Sequence, residues 1–426
     1  MKETDGLVST QKRREMGGST SDIINNLPRN VLEGILVCLT IQDAVRTSVL
    51  SRNWRYIWTT LPKLVFDDNF CRGSVIRATS DKLMMTIYKV LLLHHGPILK
   101  FTLTLANLES CPEINQLTFL VSNNGIREFT LHVRKGEPYR LPSTLFSCLR
   151  LEYLNLSSCV FKPPPSFKGF TMLLSPELYE VVIAGDVLSS LASSCPLLER
   201  LTFSSSNSFD YLEIVAPNLK YFSCQGLFKS ICVRIPHVAD ITVVTKAYRN
   251  QLGFNEGEIS NPVMLLCSIP MVEFLVLNYH YVKCMAASGV RERLPTTLNN
   301  LQVLLLYDIC IGEPDEAVPF FFFFFFFSKL QAFHSAAAAI DPVVELFDLQ
   351  DRSDSPLNKL VFVVMKEVSG TKAEMESIKL LLAESPMLQS IKIKLKSMEV
   401  AEELRIVKKL MGYQRASVHA VITFPK

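Results

Sequence analysis

Leu151-Glu152-Tyr153-Leu154-Asn155-Leu156-Ser157-Ser158-Cys159 puts apolar residues at its first, fourth and sixth positions and a cysteine at its ninth. Leu154 and Leu156 alternate with Tyr153 and Asn155, the period of a strand buried on one face. The same template, apolar-x-x-apolar-x-apolar, stands upstream as Ile126-x-x-Phe129-x-Leu131. Downstream it reads Leu178-x-x-Val181-x-Ile183, Leu198-x-x-Leu201-x-Phe203, Leu219-x-x-Phe222-x-Cys224 and Val238-x-x-Ile241-x-Val243. Val272-x-x-Leu275-x-Leu277, Leu301-x-x-Leu304-x-Leu306 and a late Leu388-x-x-Ile391-x-Ile393 continue it. Residues 97–105 alternate in the same way.

From Ile126 to Leu301 the starts lie 25, 27, 20, 21, 19, 34 and 29 residues apart, a loosened leucine-rich-repeat period. A proline stands two residues before the first apolar position in several copies: Pro176, Pro196, Pro217, Pro236, Pro270 and Pro386. Each unit supplies one short strand and returns by a helix or irregular segment, such as Asp186–Ser193. No unit buries its apolar face alone, so neighbours stack. The expected fold class is α/β, an irregular leucine-rich-repeat solenoid.

Residues 21–61 carry a different period. After Leu27-Pro28, the residues Val31, Leu32, Ile35, Leu36 and Leu39 recur at helical spacing. Thr40 or Gln42-Asp43 can cap a second short helix holding Ala44, Val45, Ser48 and Val49. Ser51 can cap a third, where Trp54, Ile57, Trp58 and Leu61 fall on one face before Pro62 ends it. Three short helices bury little surface by themselves, and this much apolar face invites a partner.

Residues 357–426 hold twelve Lys/Arg and seven Asp/Glu, +5, which leaves −2 for the rest of a chain whose net charge is +3. Ala373–Ala383 and Val400–Leu410 read as helices, and Val418–Phe424 as a final strand. Ile391-Lys392-Ile393-Lys394-Leu395-Lys396 alternates strictly, which predicts a strand whose lysines guard an exposed sheet edge. This segment is expected to cap the open end of the solenoid.

Residues 27–58 resemble an F-box. The resemblance rests on Leu27-Pro28, the apolar helix to Leu39, and Asp43-Ala44-Val45-Arg46-Thr47-Ser48-Val49-Leu50-Ser51-Arg52-Asn53-Trp54-Arg55. With the repeats, and with Ser385-Pro386-Met387-Leu388-Gln389-Ser390-Ile391-Lys392-Ile393 and Arg415-Ala416-Ser417, the chain is similar to the plant F-box/FBD/LRR-repeat family over most of its length. That implies a disordered tail over 1–20, a three-helix F-box domain over 21–68, leucine-rich repeats over 69–350 and an FBD domain over 351–426. It implies a substrate-recognition subunit of an SCF-type cullin–RING E3 ubiquitin ligase. Such a subunit docks on a SKP-family adaptor, through it meets the cullin and RING protein, and holds a substrate protein on the repeats. Carried over by position, Leu27, Pro28, Val31, Leu32, Ile35 and Leu36 face the adaptor, while Val45, Val49, Leu50, Trp54 and Trp58 share contact and core duties. A scaffold acting outside a ligase, or a small-molecule receptor, are the alternatives.

Chemistry is not expected. Gly370-Thr371-Lys372 lacks the earlier glycine of a phosphate loop, and the chain has no HExxH, GxSxG or GxGxxG. No cofactor and no metal is implied, because His94-His95 are adjacent and point apart, and the eleven cysteines include no CxxC. Cysteines among apolar neighbours suit small core positions in a reducing compartment. Net charge +3 is no nucleic-acid footprint, and no apolar run is long enough to span a bilayer. Met1–Thr20 lacks the apolar core of a secretory leader, which predicts a protein of the nucleus and/or cytoplasm. Asn155-Leu156-Ser157 is a glycosylation sequon by chance.

One stretch departs from the pattern. Phe320–Phe327 is a pure phenylalanine run within an anomalous segment, 318–340, that also holds Ala336–Ala339. Leu330-x-x-Phe333 is followed by Ser335, so the template fails there. The hypothesis drawn is a translated thymine-rich intron end, which sequencing of the mature transcript tests; a lipid or partner patch is the other reading.

Overall fold

A computed structural model describes residues 27–72, 80–106, 108–228, 231–235, 240–245, 265–266, 268–278, 281, 300–309, 332–337, 357 and 359–425. The tail 1–20 and the run Phe320–Phe327 lie outside the described residues.

Within them, fourteen strands form one parallel sheet in strict chain order. They are β1 (Lys63–Asp67), β2 (Lys100–Thr104), β3 (Glu128–His132), β4 (Tyr153–Ser157), β5 (Ser175–Tyr179), β6 (Arg200–Phe209) and β7 (Tyr221–Phe228). The series continues with β8 (Asp240–Thr245), β9 (Phe274–Asn278), β10 (Val303–Ile309), β11 (Ala332–Ala337), β12 (Phe362–Val368), β13 (Ser390–Leu395) and β14 (Val421–Thr423). Sequential order in a parallel sheet means that each strand pairs with the one before it and returns over the same face.

The register shows why the template recurs. Its fourth positions stand side by side, Phe101↔Phe129↔Leu154 at one end and Phe333↔Val363↔Ile391 at the other. Its sixth positions form a second row, Leu103↔Leu131↔Leu156↔Leu178. Phe101, Phe129, Leu154, Val363 and Ile391 of the first row and all four residues of the second lie in one continuous core, where Phe101 and Phe129 stack with centroids 5.9 Å apart. Each aliphatic side chain so buried stabilises by roughly 1.5–3 kcal/mol. Two units match the template that their strands alone had not advertised as repeats: Leu61-x-x-Leu64-x-Phe66 and Leu360-x-x-Val363-x-Met365.

Three expectations shift. The fifth strand is built on Leu173-x-x-Pro176-x-Leu178, not on Leu178-x-x-Val181-x-Ile183, because Pro176 pairs with Leu154 and Leu178 with Leu156. Proline is rare inside a sheet, so its presence slides a sequence reading onto the next apolar triplet. Beyond the strand, Glu180 takes φ 51° and turns the chain, and Val182 then bridges to Val160. The loss of the apolar residue at Ser335 does not interrupt the sheet: β11 pairs with β10 through Leu306↔Ser335 and with β12 through Ser335↔Met365. The lysine-rich β13 is not an edge over Ser390–Lys392, which pair with β12 on one side and β14 on the other, whereas Ile393–Leu395 run past the three residues of β14.

Helices Ser80–Leu93, Glu113–Ser122, Gly185–Ser194, Lys372–Glu384 and Val400–Met411 cover the apolar face of the sheet, together with 3-10 turns and extended segments. Lys372–Glu384 starts with a capping box, in which Thr371 Oγ1 accepts from the Glu374 N–H and the Glu374 carboxylate accepts from the N–H of Thr371 at 2.9 Å.

Ahead of the sheet, α1 (Arg29–Val37) and α2 (Ile41–Arg46) are followed by 3-10 turns Thr47–Val49 and Ile57–Thr60. The expected third α-helix is therefore a run of turns ending in one 3-10 turn. Thr59 and Thr60 account for it: their hydroxyls donate to the carbonyls of Tyr56 (2.7 Å) and Ile57 (2.9 Å), three residues back, and β-branching disfavours helix. Lys63–Asp67, at the end of the stretch assigned to the first module, is already a strand of the sheet.

Candidate interaction surfaces

The helical module is anchored firmly on the first repeat. The carbonyl of Thr59 accepts from the N–H of His95 (2.8 Å) and of Gly96 (3.3 Å), and that of Pro62 from Leu99 and Lys100 (both 2.9 Å). A ring nitrogen of His94 lies 2.8 Å from the Leu61 carbonyl. Gly96 allows this approach, because a Cβ there would stand 2.9 Å from the Thr60 backbone. Burial lowers the His94 pKa below its ordinary value, with the carbonyls of Leu61 and Gly96 opposing.

On this module α1 carries two adjacent rows of apolar residues about 100° apart. Leu32 and Leu36 form the inner row and are fully buried, packed in the same cluster as Ile41, Ala44, Trp54, Ile57, Trp58 and Leu61. Val31 and Ile35 form the outer row and are exposed. The structure thus corrects one expectation: in the free chain Leu32 and Leu36 are core residues and present nothing to a partner. Trp54 and Trp58 are also core, and the Trp54 indole N–H is buried with no hydrogen-bond partner. Leu27 is half-buried against the core, and Pro28 is exposed just before the helix.

Val45, Val49 and Leu50 lie on the surface, Val49 at 87% and Leu50 at 60% exposure. Sequence reasoning missed two further exposed apolar residues on the module, Val37 and Tyr56, and Leu39, read there as part of the apolar helical face, is exposed as well. Helical spacing alone had not separated them from core positions. Charged pairs flank the exposed set, Arg29 with Glu33 and Arg46 with Asp43, both at 3.0 Å. Apolar side chains rimmed by charge are the anatomy of a protein–protein contact.

The second surface is the outward face of the sheet. Between β3 and β7 its polar groups are ordered by one another. His132 Nε2 and Asn155 Oδ1 are 2.7 Å apart, and the Asn155 amide donates to Glu177 at 2.7 Å. The Tyr179 hydroxyl donates to the same carboxylate at 3.4 Å. The Arg200 guanidinium sits 4.1 Å above the Tyr221 ring. With its amide engaged on both sides, Asn155 makes a poor glycan acceptor.

Among the described residues the thiols are unactivated. Cys38, Cys111, Cys148, Cys159, Cys195, Cys224 and Cys232 are unbridged. Burial pushes the Cys159 thiol up to about 12 and that of Cys224 further still, so both stay protonated. Among the described residues no cluster of three or more His, Cys, Asp or Glu is placed to hold a metal, and no helix is long and apolar enough to cross a membrane.

A helical module with an exposed apolar face, fixed on a parallel sheet of leucine-rich repeats, defines an F-box protein with a repeat body. Family models agree: the F-box domain matches residues 24–66, and the leucine-rich repeats of FBD-associated F-box protein At5g56370 match residues 114–253. The F-box/FBD/LRR-repeat protein At1g13570 of Arabidopsis thaliana is 36% identical over 414 residues, covering 96% of this chain and 99% of its own. The chain belongs to the F-box/FBD/LRR-repeat family. Two further Arabidopsis thaliana proteins are each 28% identical. FBD-associated F-box protein At5g56370 aligns over 58% of this chain and 60% of its own, and F-box/LRR-repeat protein At4g14103 over 62% and 72%.

Proposed function

We propose that this protein is the substrate-recognition subunit of an SCF-type cullin–RING ubiquitin ligase and performs no covalent chemistry itself. Its F-box docks on a SKP-family adaptor, which links it to the cullin and RING protein. Its repeats hold a target protein, in the nucleus and/or cytoplasm. In this reading the sheet is a solenoid, residues 21–68 are the docking domain, and residues 351–426 form the FBD cap at the far end.

The observation that carries the proposal is the outward row of α1, Val31 and Ile35, together with exposed Val45, Val49 and Leu50 on the same module. These side chains contribute little to the free chain and gain by being covered. The anchoring of Thr59 and Pro62 to residues 95–100 supports a fixed spacing between adaptor and target, which transfer of ubiquitin to a held substrate requires.

The test is co-purification of a SKP-family adaptor with the full chain. Val31→Asp combined with Ile35→Asp is expected to abolish capture while the melting profile is kept. Undiminished capture by that folded variant defeats the docking model.

A further inference from the structure

We propose that the outward face of β12 and β13 binds an acidic segment of the protein target. The inference rests on the reading that the repeat sheet holds the target, and it names the chemistry of what is held.

Outward positions on β12 are Phe362, Val364 and Lys366; on β13 they are Ser390, Lys392 and Lys394. Val364 pairs with Lys392 and Met365 with Ile393; the register then shifts, so that Lys366 and Glu367 together stand opposite Lys394 before Val368 pairs with Leu395. Among the described residues no ion pair joins any of these three lysines. Among the residues of β12, β13 and β14 the one Asp or Glu is Glu367, exposed at the bulge beside Lys366 with φ 58°. The Lys392 ammonium is 5.2 Å from the centre of the half-buried Phe362 ring, which gives the patch an apolar floor.

Apart from Glu367, the acids named here lie in the helical layer on the other side of the sheet. Glu374 is buried in its capping box, Glu376 pairs with Lys379 at 3.3 Å, and Glu402 pairs with Arg405. The +5 of residues 357–426 is thereby polarised, with three lysines against the single Glu367 on the sheet face. Protection of a sheet edge does not explain Lys392, because its strand is paired on both sides there, to Val364 and to Thr423. Attraction for a carboxylate-rich partner does explain it.

An acidic polypeptide fits better than nucleic acid. Three lysines on one short face neutralise few phosphates, and the sole aromatic in the patch is half-buried beneath an ammonium, where it offers no stacking platform to bases.

The probe is a fluorescein-labelled twelve-residue peptide of alternating Glu and Asp, titrated by anisotropy against the full chain, with the Gln/Asn peptide as control. The parent is expected to bind the acidic peptide with an affinity that falls as salt rises. The K366Q/K392Q/K394Q variant is expected to bind roughly tenfold more weakly. K372Q/K379Q/K409Q removes the same charge from the helical layer and is expected to leave binding unchanged. Equal loss in the two variants, absence of binding by the parent, or tighter binding of an oligothymidylate than of the peptide overturns the proposal. Adaptor capture, measured on the same preparations, separates the two readings. Capture retained without peptide binding defeats this inference alone, and capture lost in the parent defeats the ligase reading.

Discussion

Val49→Asp is the sharpest perturbation of the docking face. Val49 ends a 3-10 turn and is 87% exposed, so the free chain spends almost none of its stability on it. Covering nearly the whole side chain with an apolar partner stabilises the complex by roughly 1.5–2 kcal/mol. Aspartate forfeits that term and brings a carboxylate whose desolvation adds at least another 1–2 kcal/mol. The sum, about 3 kcal/mol or more, is a loss of roughly 100-fold in affinity. Titration calorimetry of the purified chain against a SKP-family adaptor measures it, with circular-dichroism melts run beside it. The melting profile of Val49→Asp should match the parent. Leu32→Asp is the contrasting control: Leu32 is 3% exposed, so a carboxylate there is buried unpaired and the module unfolds. Adaptor affinity of Val49→Asp within threefold of the parent would refute the assignment of this surface.

Two predictions concern the scaffold behind that surface. Gly370 holds φ +80°, and a Cβ there would fall 2.3 Å from Cδ1 of buried Ile406, so Gly370→Ala should cost about 2–4 kcal/mol from left-handed strain plus overpacking; hydrogen exchange of Val400–Met411 reads the loosening, and Ile406→Val should restore part of it. His94 has a folded pKa lowered by burial, so the unfolded chain takes up its proton first as pH falls through the ordinary histidine range. Stability should therefore drop below about pH 6.5 and the loss should level off below the lowered folded pKa. Melts of His94→Asn across pH 5 to 8 should show a flatter profile than the parent, and an identical profile would remove His94 as the cause.

Much of the architecture is legible in local pattern. Leu151-x-x-Leu154-x-Leu156 marks β4 because a strand buried on one face has a period of two, and its recurrence implies stacking, since no single unit covers its own face. Thr40 marks the start of α2, and its hydroxyl does accept the Asp43 N–H at 3.2 Å. Pro176 and Ser335 were illegible for the opposite reason. Each breaks the composition of a buried strand, and only ladders on both sides hold them in register.

The docking face divides along the same line. The sequence by itself determined that residues 31–36 form an amphipathic helix with more apolar surface than a small module can bury, and it determined the family. It left Val31 and Ile35 indistinguishable from Leu32 and Leu36, because adjacent helical positions differ only by a rotation of about 100°. Tertiary packing chose between them: Trp54, Ile57, Trp58 and Leu61 fill the space on one side of α1, so Leu32 and Leu36 turn inward and Val31 and Ile35 remain for a partner. The lysines of β13 were likewise plain as an alternating strand, but whether they guard an edge or face a ligand depends on what lies beside that strand. Placement of Val421–Thr423 against it is a long-range pairing that no local pattern encodes.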